Sequence, residues 1–270
     1  MAMLPTLIVY KKMKNLRFDV ILTTTDYSIF RKLIGNRPLN ELKVKRFMVA
    51  FKKRQLPWYA ILNENFEVID GQHKIEACIR LGLPIPYMLK LGYGLKEAQE
   101  YNEIGGSWTK QEYLISYVEL GMQSYVWLDE MMKMYPEYNL GSIESILTNT
   151  YDGSNTSDGS LTNTKGLSTG KRLAFQQGLL NLTMADKILA YDNIAKIDAY
   201  KKYFKKYNTG VFIRTMLSLF KNDKFDNDRM LQKISNQPTK MQQCSNVKLY
   251  KLMLQDIYNF ASKNRLSLYP

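Results

Sequence analysis

The chain is poor in the residues that build covalent or metal cross-links. Two cysteines, Cys78 and Cys244, among 270 residues leave no basis for a disulfide framework or a cysteine-rich zinc site. A single histidine, His73, excludes any metal centre built on a pair of imidazoles. No stretch approaches the roughly 18 consecutive apolar residues that a membrane-spanning helix needs. The first ten residues carry a short apolar patch without a basic flank before it or a small-residue cleavage pattern after it, so a secretory signal is not expected. Together these absences point to a reducing cytoplasm, with no membrane partner. What the chain does have is globular: 45% of its residues are apolar and 23% charged, which argues against wholesale disorder.

Positive charge is in excess and unevenly placed. The formal net charge is +13, distributed as +10 over residues 1–60, −7 over 61–150 and +10 over 151–270. Basic segments flanking an acidic middle fit a polyanionic partner, because lysine and arginine that neutralise phosphates release condensed counterions. Nineteen tyrosines and eleven phenylalanines are compatible with base stacking, although most are expected in the core.

Hydrophobic periodicity divides the chain into five segments. Residues 1–17 are a basic arm. Over 18–107 strands and helices alternate: a strand at 18–24, a turn at Gly35-Asn36-Arg37-Pro38, an amphipathic helix over 39–54, strands at 57–62 and 66–69, a helix over 72–81 stopped by Gly82, a strand at 85–89 and a helix over 95–103. In the helix over 39–54, Val44, Phe47, Met48 and Phe51 form the apolar stripe. Lys43, Lys45, Arg46, Lys52, Lys53 and Arg54 occupy the other face, as a solvated surface or one that meets DNA phosphates. Residues 108–149 are helical. Thr109 and Glu112 match a capping box, Ser142 is placed to cap a later helix, and the pair 123–134 and 142–149 has the layout of a helix-turn-helix. Of the 21 residues in 150–170, 17 are Ser, Thr, Gly, Asn or Asp, a flexible loop. Residues 171–270 read as a separate basic helical domain: 171–206 broken near Thr183, then 209–221, 226–235 and 246–263. Lys201, Lys202, Lys205 and Lys206 are its paired lysines and a second candidate DNA surface. The fold class expected is α+β, a small mixed sheet followed by a mainly helical C-terminal half.

Chemistry concentrates at Ile69-Asp70-Gly71-Gln72-His73-Lys74-Ile75-Glu76-Ala77. A strand ends, Asp70-Gly71 turns, and a helix begins at once. The first backbone N–H groups of a helix lack internal acceptors and carry the positive end of its dipole, which makes the turn an anion site. Gly71 lets a phosphate approach the backbone, His73 can donate a hydrogen bond, and Lys74 adds a compact positive charge. Asp70 is an N-cap, a magnesium ligand or a proton acceptor. The plainer alternative is a capped helix with a satisfied surface histidine.

The order of elements around this turn, with Asn36-Arg37 before the basic helix, Asp70-Gly71-Gln72-His73-Lys74-x-x-Ala77 on the next, and Gly82-Leu83-x-Ile85-Pro86 before a strand, resembles the N-terminal domain of the ParB/sulfiredoxin superfamily over roughly residues 15–105. The wording Asp-Gly-Gln-His-Lys is also similar to that of DGQHR-domain proteins linked to DNA modification systems. The resemblance implies a DNA-associated protein of a phage, plasmid or other mobile element in a bacterial cytoplasm, with CTP or ATP and Mg2+ as ligands and a homodimer as a compatible assembly. It implies that Gly71, Gln72, His73 and Lys74 meet nucleotide phosphates, that Arg37 matches an arginine before the first helix, and that Asn102 matches an asparagine that helps hold phosphate or metal.

Three departures bear on activity. Gln72 stands where sulfiredoxin carries its catalytic cysteine, which argues against sulfinic-acid reduction, and Cys78 reads as a packing residue. Gln72-His73-Lys74 replaces the Glu-Arg-Arg of CTP-hydrolysing partition proteins. Lys74, in place of arginine, forgoes bidentate phosphate recognition. Two other readings stay open. In the first, a phosphoryl-transfer enzyme or nuclease uses Asp70, His73 and Glu76 as its catalytic residues and Arg37 to stabilise transferred charge. In the second, a non-catalytic accessory protein keeps only the fold.

Overall fold

The computed structural model describes residues 20–54, 57–105, 108–150, 171–263 and 265–268, and within them the side chains of 102–105 and 171–173 are not described. The arm expected over 1–17 and nearly all of the 150–170 loop lie outside the described residues. The class is α+β, with one four-stranded mixed sheet and many helices. The chain divides into two compact units, one up to Trp108 and one from Thr109 onward.

In the first unit, β1 (Ile21–Thr24), β2 (Ala60–Leu62), β3 (Val68–Asp70) and β4 (Ile85–Leu89) form a sheet in the order β1-β4-β2-β3. β4 is antiparallel to β1 and parallel to β2, and β3 is antiparallel to β2. The side-chain alternation of a strand explains why both faces are covered. Ala60 and Leu62 of β2 point into a cluster with Val68, Ile75, Cys78, Ile85 and Tyr87. Ile61, between them, joins Leu33, Ile69 and Ala98 on the other face. The first cluster is closed by α1 (Glu41–Lys53) and α2 (Gln72–Leu81), the second by α3 (Leu95–Gly105). α1 starts later than its periodicity predicts. Asn40 is its N-cap and accepts from the Lys43 N–H, so Pro38 lies outside the helix. The β2–β3 turn is fastened by Asn63, whose Oδ1 accepts from the N–H groups of Asn65 and Glu67 at 3.0 and 2.9 Å.

The second unit contains α4 (Lys110–Glu119), α5 (Gln123–Met134), α6 (Leu140–Leu147), α7 (Lys171–Gln176), α8 (Met184–Asp198), α9 (Gly210–Phe220), α10 (Asn227–Ser235) and α11 (Val247–Asn259). The capping box expected at Thr109 and Glu112 is present, and Thr183 with Asp186 makes another at the break before α8. Ser142 does not cap α6. Asn139 does, three residues earlier, and accepts from the Ser142 N–H.

One expectation changes here. The segments 108–149 and 171–270 are one unit, not two domains. Tyr117 of α4 and Tyr125 of α5 donate their hydroxyls to the carbonyls of Gln176 and Phe175 at the end of α7, and α6 packs against α8 and α9. In the pair expected as a helix-turn-helix, α6 buries one face through Ser142, Ile143, Ile146 and Leu147, pairs Glu144 with Lys110 and leaves Gly141 exposed.

Candidate functional site

The β3–α2 corner is built around a glycine that no other residue replaces without strain. Gly71 has φ +96° and is the N-cap of α2, with no side chain to supply the cap. A Cβ at this position would sit 3.2 Å from Ala60 Cα and 3.3 Å from Ala60 Cβ on β2. The Gly71 carbonyl accepts from the N–H groups of Lys74 and Ile75, both at 2.9 Å. Asp70 is the last residue of β3 and does not cap the helix.

In front of this corner lies a cavity of about 520 Å3, lined by the Asp70–Lys74 turn and Ile69, by Asn36 and Arg37, and by one strip of α1. The strip is Lys43, Arg46, Phe47 and Ala50, residues that share a helical face at i, i+3, i+4 and i+7. Four cationic side chains (Arg37, Lys43, Arg46 and Lys74) thus share one cavity with a single carboxylate, Asp70. Among the described residues Asp70 has no ion-pair partner, and neither have Arg37, Lys43 and Arg46. The Arg37 Nε is buried and makes no hydrogen bond, an uncommon state for a buried polar atom. The Lys74 ammonium lies over two aromatic rings, 5.7 Å from the centroid of Phe47 and 5.5 Å from that of Trp58, a cation–π placement that holds the charge at the cavity wall.

The residues assigned from sequence distribute as follows. Arg37, Asp70, Gly71, Gln72, His73 and Lys74 come together around the cavity, and Lys43 and Arg46, expected on a DNA face, join them. Lys52, Lys53 and Arg54 are exposed at the C-terminal end of α1. Glu76, expected as a catalytic base, does not line the cavity. Its carboxylate accepts from Arg80 Nε at 2.7 Å, and Arg80 Nη1 reaches Glu41 at 2.6 Å. That hydrogen bond also holds the Glu41 carboxyl below the usual carboxylate range, so Glu76 belongs to a tie between α1 and α2. Asn102 falls on α3, and its side chain is outside the described residues. Lys201, Lys202, Lys205 and Lys206 are exposed in the second unit, on the turns after α8 and not on a helix. Lys202 and Lys201 stand over the rings of Tyr203 and Tyr207.

Two side chains at the turn are engaged with protein. His73 is 6% exposed, and its Nε2 accepts from the Asn40 backbone N–H at 3.0 Å. An accepting nitrogen is unprotonated, so the ring proton sits on Nδ1, and Nε2 is not free to donate to a phosphate. Gln72 Nε2 donates to the Arg37 carbonyl at 3.1 Å. Asn36, Phe47 and Ala50 are site residues that the motif alone does not show. Their signal was available in the Asn36-Arg37 turn and in the spacing of the α1 strip.

Cys78 is fully buried among the side chains of the first cluster, and burial pushes its thiol up to about 11. Such a thiol is inert. In the native chain an alkylating reagent is expected to modify Cys244, which is partly exposed, and to reach Cys78 only on unfolding. Equal labelling rates for the two thiols, read by mass spectrometry, would contradict the packing role.

No family model matches the chain, and neither a curated protein nor a solved structure matches it. Among the described residues there is no cluster of three or more His, Cys, Asp or Glu side chains able to hold a metal ion, and no helix long and apolar enough to cross a membrane.

Proposed function

We propose that the first unit binds a nucleotide through its phosphates in the cavity at Gly71, and that the chain is a ParB-like, DNA-associated protein of a phage, plasmid or similar element. The observation that carries the reading is the convergence of Arg37, Lys43, Arg46 and Lys74 on one cavity, none of the four in an ion pair among the described residues. Like charges held together without counterions are costly unless an anion joins them. The volume lies in the range of small-molecule sites, and Phe47 and Ala50 give it an apolar wall. Mg2+ keeps most of its waters and takes one or two carboxylates plus substrate phosphates. Asp70 fits that single-carboxylate role, which makes CTP or ATP with Mg2+ the candidate ligand.

The binding assay is calorimetry of CTP, ATP and inorganic pyrophosphate with Mg2+. Wild type is expected to bind at least one of them, and Arg37→Ala and Arg46→Ala each to weaken it about tenfold, the size of one charge-assisted hydrogen bond. Absence of any binding by wild type overturns the nucleotide reading. DNA is proposed to meet Lys52, Lys53 and Arg54 and the Lys201–Lys206 region. Replacing the first three by alanine should then lower affinity for any duplex and flatten its salt dependence.

A second reading is favoured by Asp70, whose carboxylate lines the same cavity without a hydrogen-bond or ion-pair partner among the described residues. An unpaired carboxylate beside bound phosphates suits a general base or metal ligand in phosphoryl transfer. Magnesium-dependent nucleotide hydrolysis, or DNA nicking, abolished by Asp70→Asn with binding retained would select it.

A further inference from the structure

The loop that carries Arg37 is tied to the β3–α2 corner by three side-chain hydrogen bonds. Asn36, 3% exposed, donates from Nδ2 to the Val68 carbonyl of β3 at 3.0 Å and accepts the Arg37 N–H on Oδ1 at 2.9 Å. The Arg37 carbonyl accepts from Gln72 Nε2 at 3.1 Å. Three residues on, the Asn40 N–H donates to His73 Nε2 at 3.0 Å, and Asn40 is the residue that caps α1. Gln72 and His73 are successive residues of the first turn of α2. One therefore fixes the backbone of Arg37, and the other fixes the start of the helix that carries Lys43 and Arg46.

We infer that Gln72 and His73 are positioning residues. They set the Arg37 loop and the N-terminus of α1 against the Gly71 corner, so that three cations from outside α2 point at one place. The ligand-facing part of this inference rests on the anion-binding reading above, while the latch itself does not. The chemistry of the pair suits the task. A glutamine amide supplies the donor a carbonyl needs, and a neutral imidazole supplies the acceptor that a helix-capping N–H needs. Neither side chain offers the multiple cationic donors that phosphate recognition draws from arginine. The Gln-His pair thus aims charges that other residues supply.

Two measurements on the full chain test this. The first needs no ligand: imidazole 15N shifts and amide hydrogen exchange. The expected result is a neutral His73 protonated on Nδ1, and an Asn40 amide that exchanges slowly in wild type, about fivefold or more faster in His73→Ala, and slowly again in His73→Gln, whose amide oxygen restores an acceptor of similar reach. A wild-type imidazole protonated on Nε2, or an Asn40 amide unaffected by His73→Ala, overturns the latch. The second is a double-mutant cycle on binding of inorganic pyrophosphate with Mg2+. Gln72→Ala is expected to weaken binding about fivefold in wild type, as loss of one hydrogen bond would, and to have no further effect in Arg37→Ala. Equal effects in both backgrounds would make Gln72 a direct ligand contact and overturn its positioning role. If wild type binds no pyrophosphate, CTP or ATP, the anion reading fails, and the exchange measurement still decides the latch.

Discussion

Gly71→Val is expected to destabilise the first unit by about 2 to 6 kcal/mol, a large share of the 5–15 kcal/mol that holds a typical domain together. Two costs combine. A β-branched residue forced to φ +96° stores roughly 1 to 3 kcal/mol of backbone strain. Its side chain also drives into β2, since even the first carbon would stand 3.2 Å from Ala60 Cα, and overpacking of this kind costs about 1 to 3 kcal/mol more. Gly82→Val separates the terms. Gly82, at the C-terminal end of α2, also has positive φ, +65°, but a Cβ there meets nothing within 4 Å. Denaturant unfolding of both variants should show the larger loss at position 71. Equal losses would mean that contact with Ala60 contributes nothing and that Gly71 answers only to backbone conformation. Nucleotide affinity gives the functional half of the result. Gly71→Val should abolish binding even under conditions where the variant remains folded, because β3, α2 and the Arg37 loop meet at that corner.

The same corner shows how far the sequence could be read. The positions of α2 and of its flanking glycines were legible because a hydrophobic run, a Gly turn and a 3.6-residue period coincide within fifteen residues. The convergence of Arg37 and Lys74 on one cavity was legible only as an order of elements, since it depends on the Asn36-Arg37 loop folding back against β3. What residues 72 and 73 do was hidden for a physical reason. A histidine in a helix's first turn has the same sequence signature whether it donates to an anion or accepts from a neighbouring loop, and only the position of Asn40 decides. Glu76 misled in the same way. Its spacing from His73 suggests one helical face, but Arg80 four residues later and Glu41 on α1 draw it into an ion network. In α1 the basic residues read as one face form two strips. Lys43 and Arg46 border the cavity, while Lys45 and Lys52, at i and i+7 on another side of the helix, lie outside it. In α6 the spacing of Ile143, Ile146 and Leu147 shows which face is buried, but not that α8 and α9, far along the chain, are what it packs against.

Phe212→Ala is the lesion expected to weigh most on the second unit. Its ring is fully buried and lies at the centre of an aromatic cluster, with centroids 5.6 Å from Tyr200, 5.2 Å from Phe204 and 5.5 Å from Tyr250. Those partners come from the turn after α8 and from α11, so the ring joins segments far apart in the chain. Truncation removes a large buried side chain and leaves a cavity that rigid aromatic neighbours close poorly, a loss of about 3 to 5 kcal/mol. A shift of that size is read directly from thermal unfolding, at roughly 2 to 4 °C per kcal/mol for a unit of this length. The consequence for function runs the other way. Every residue that lines the cavity lies between Asn36 and Lys74, within the first unit. Below the melting temperature of the variant, nucleotide affinity should therefore equal that of wild type within about twofold. A parallel fall in affinity and stability would show that the second unit sustains the site, and the cations gathered at Gly71 would then be only part of what holds the ligand.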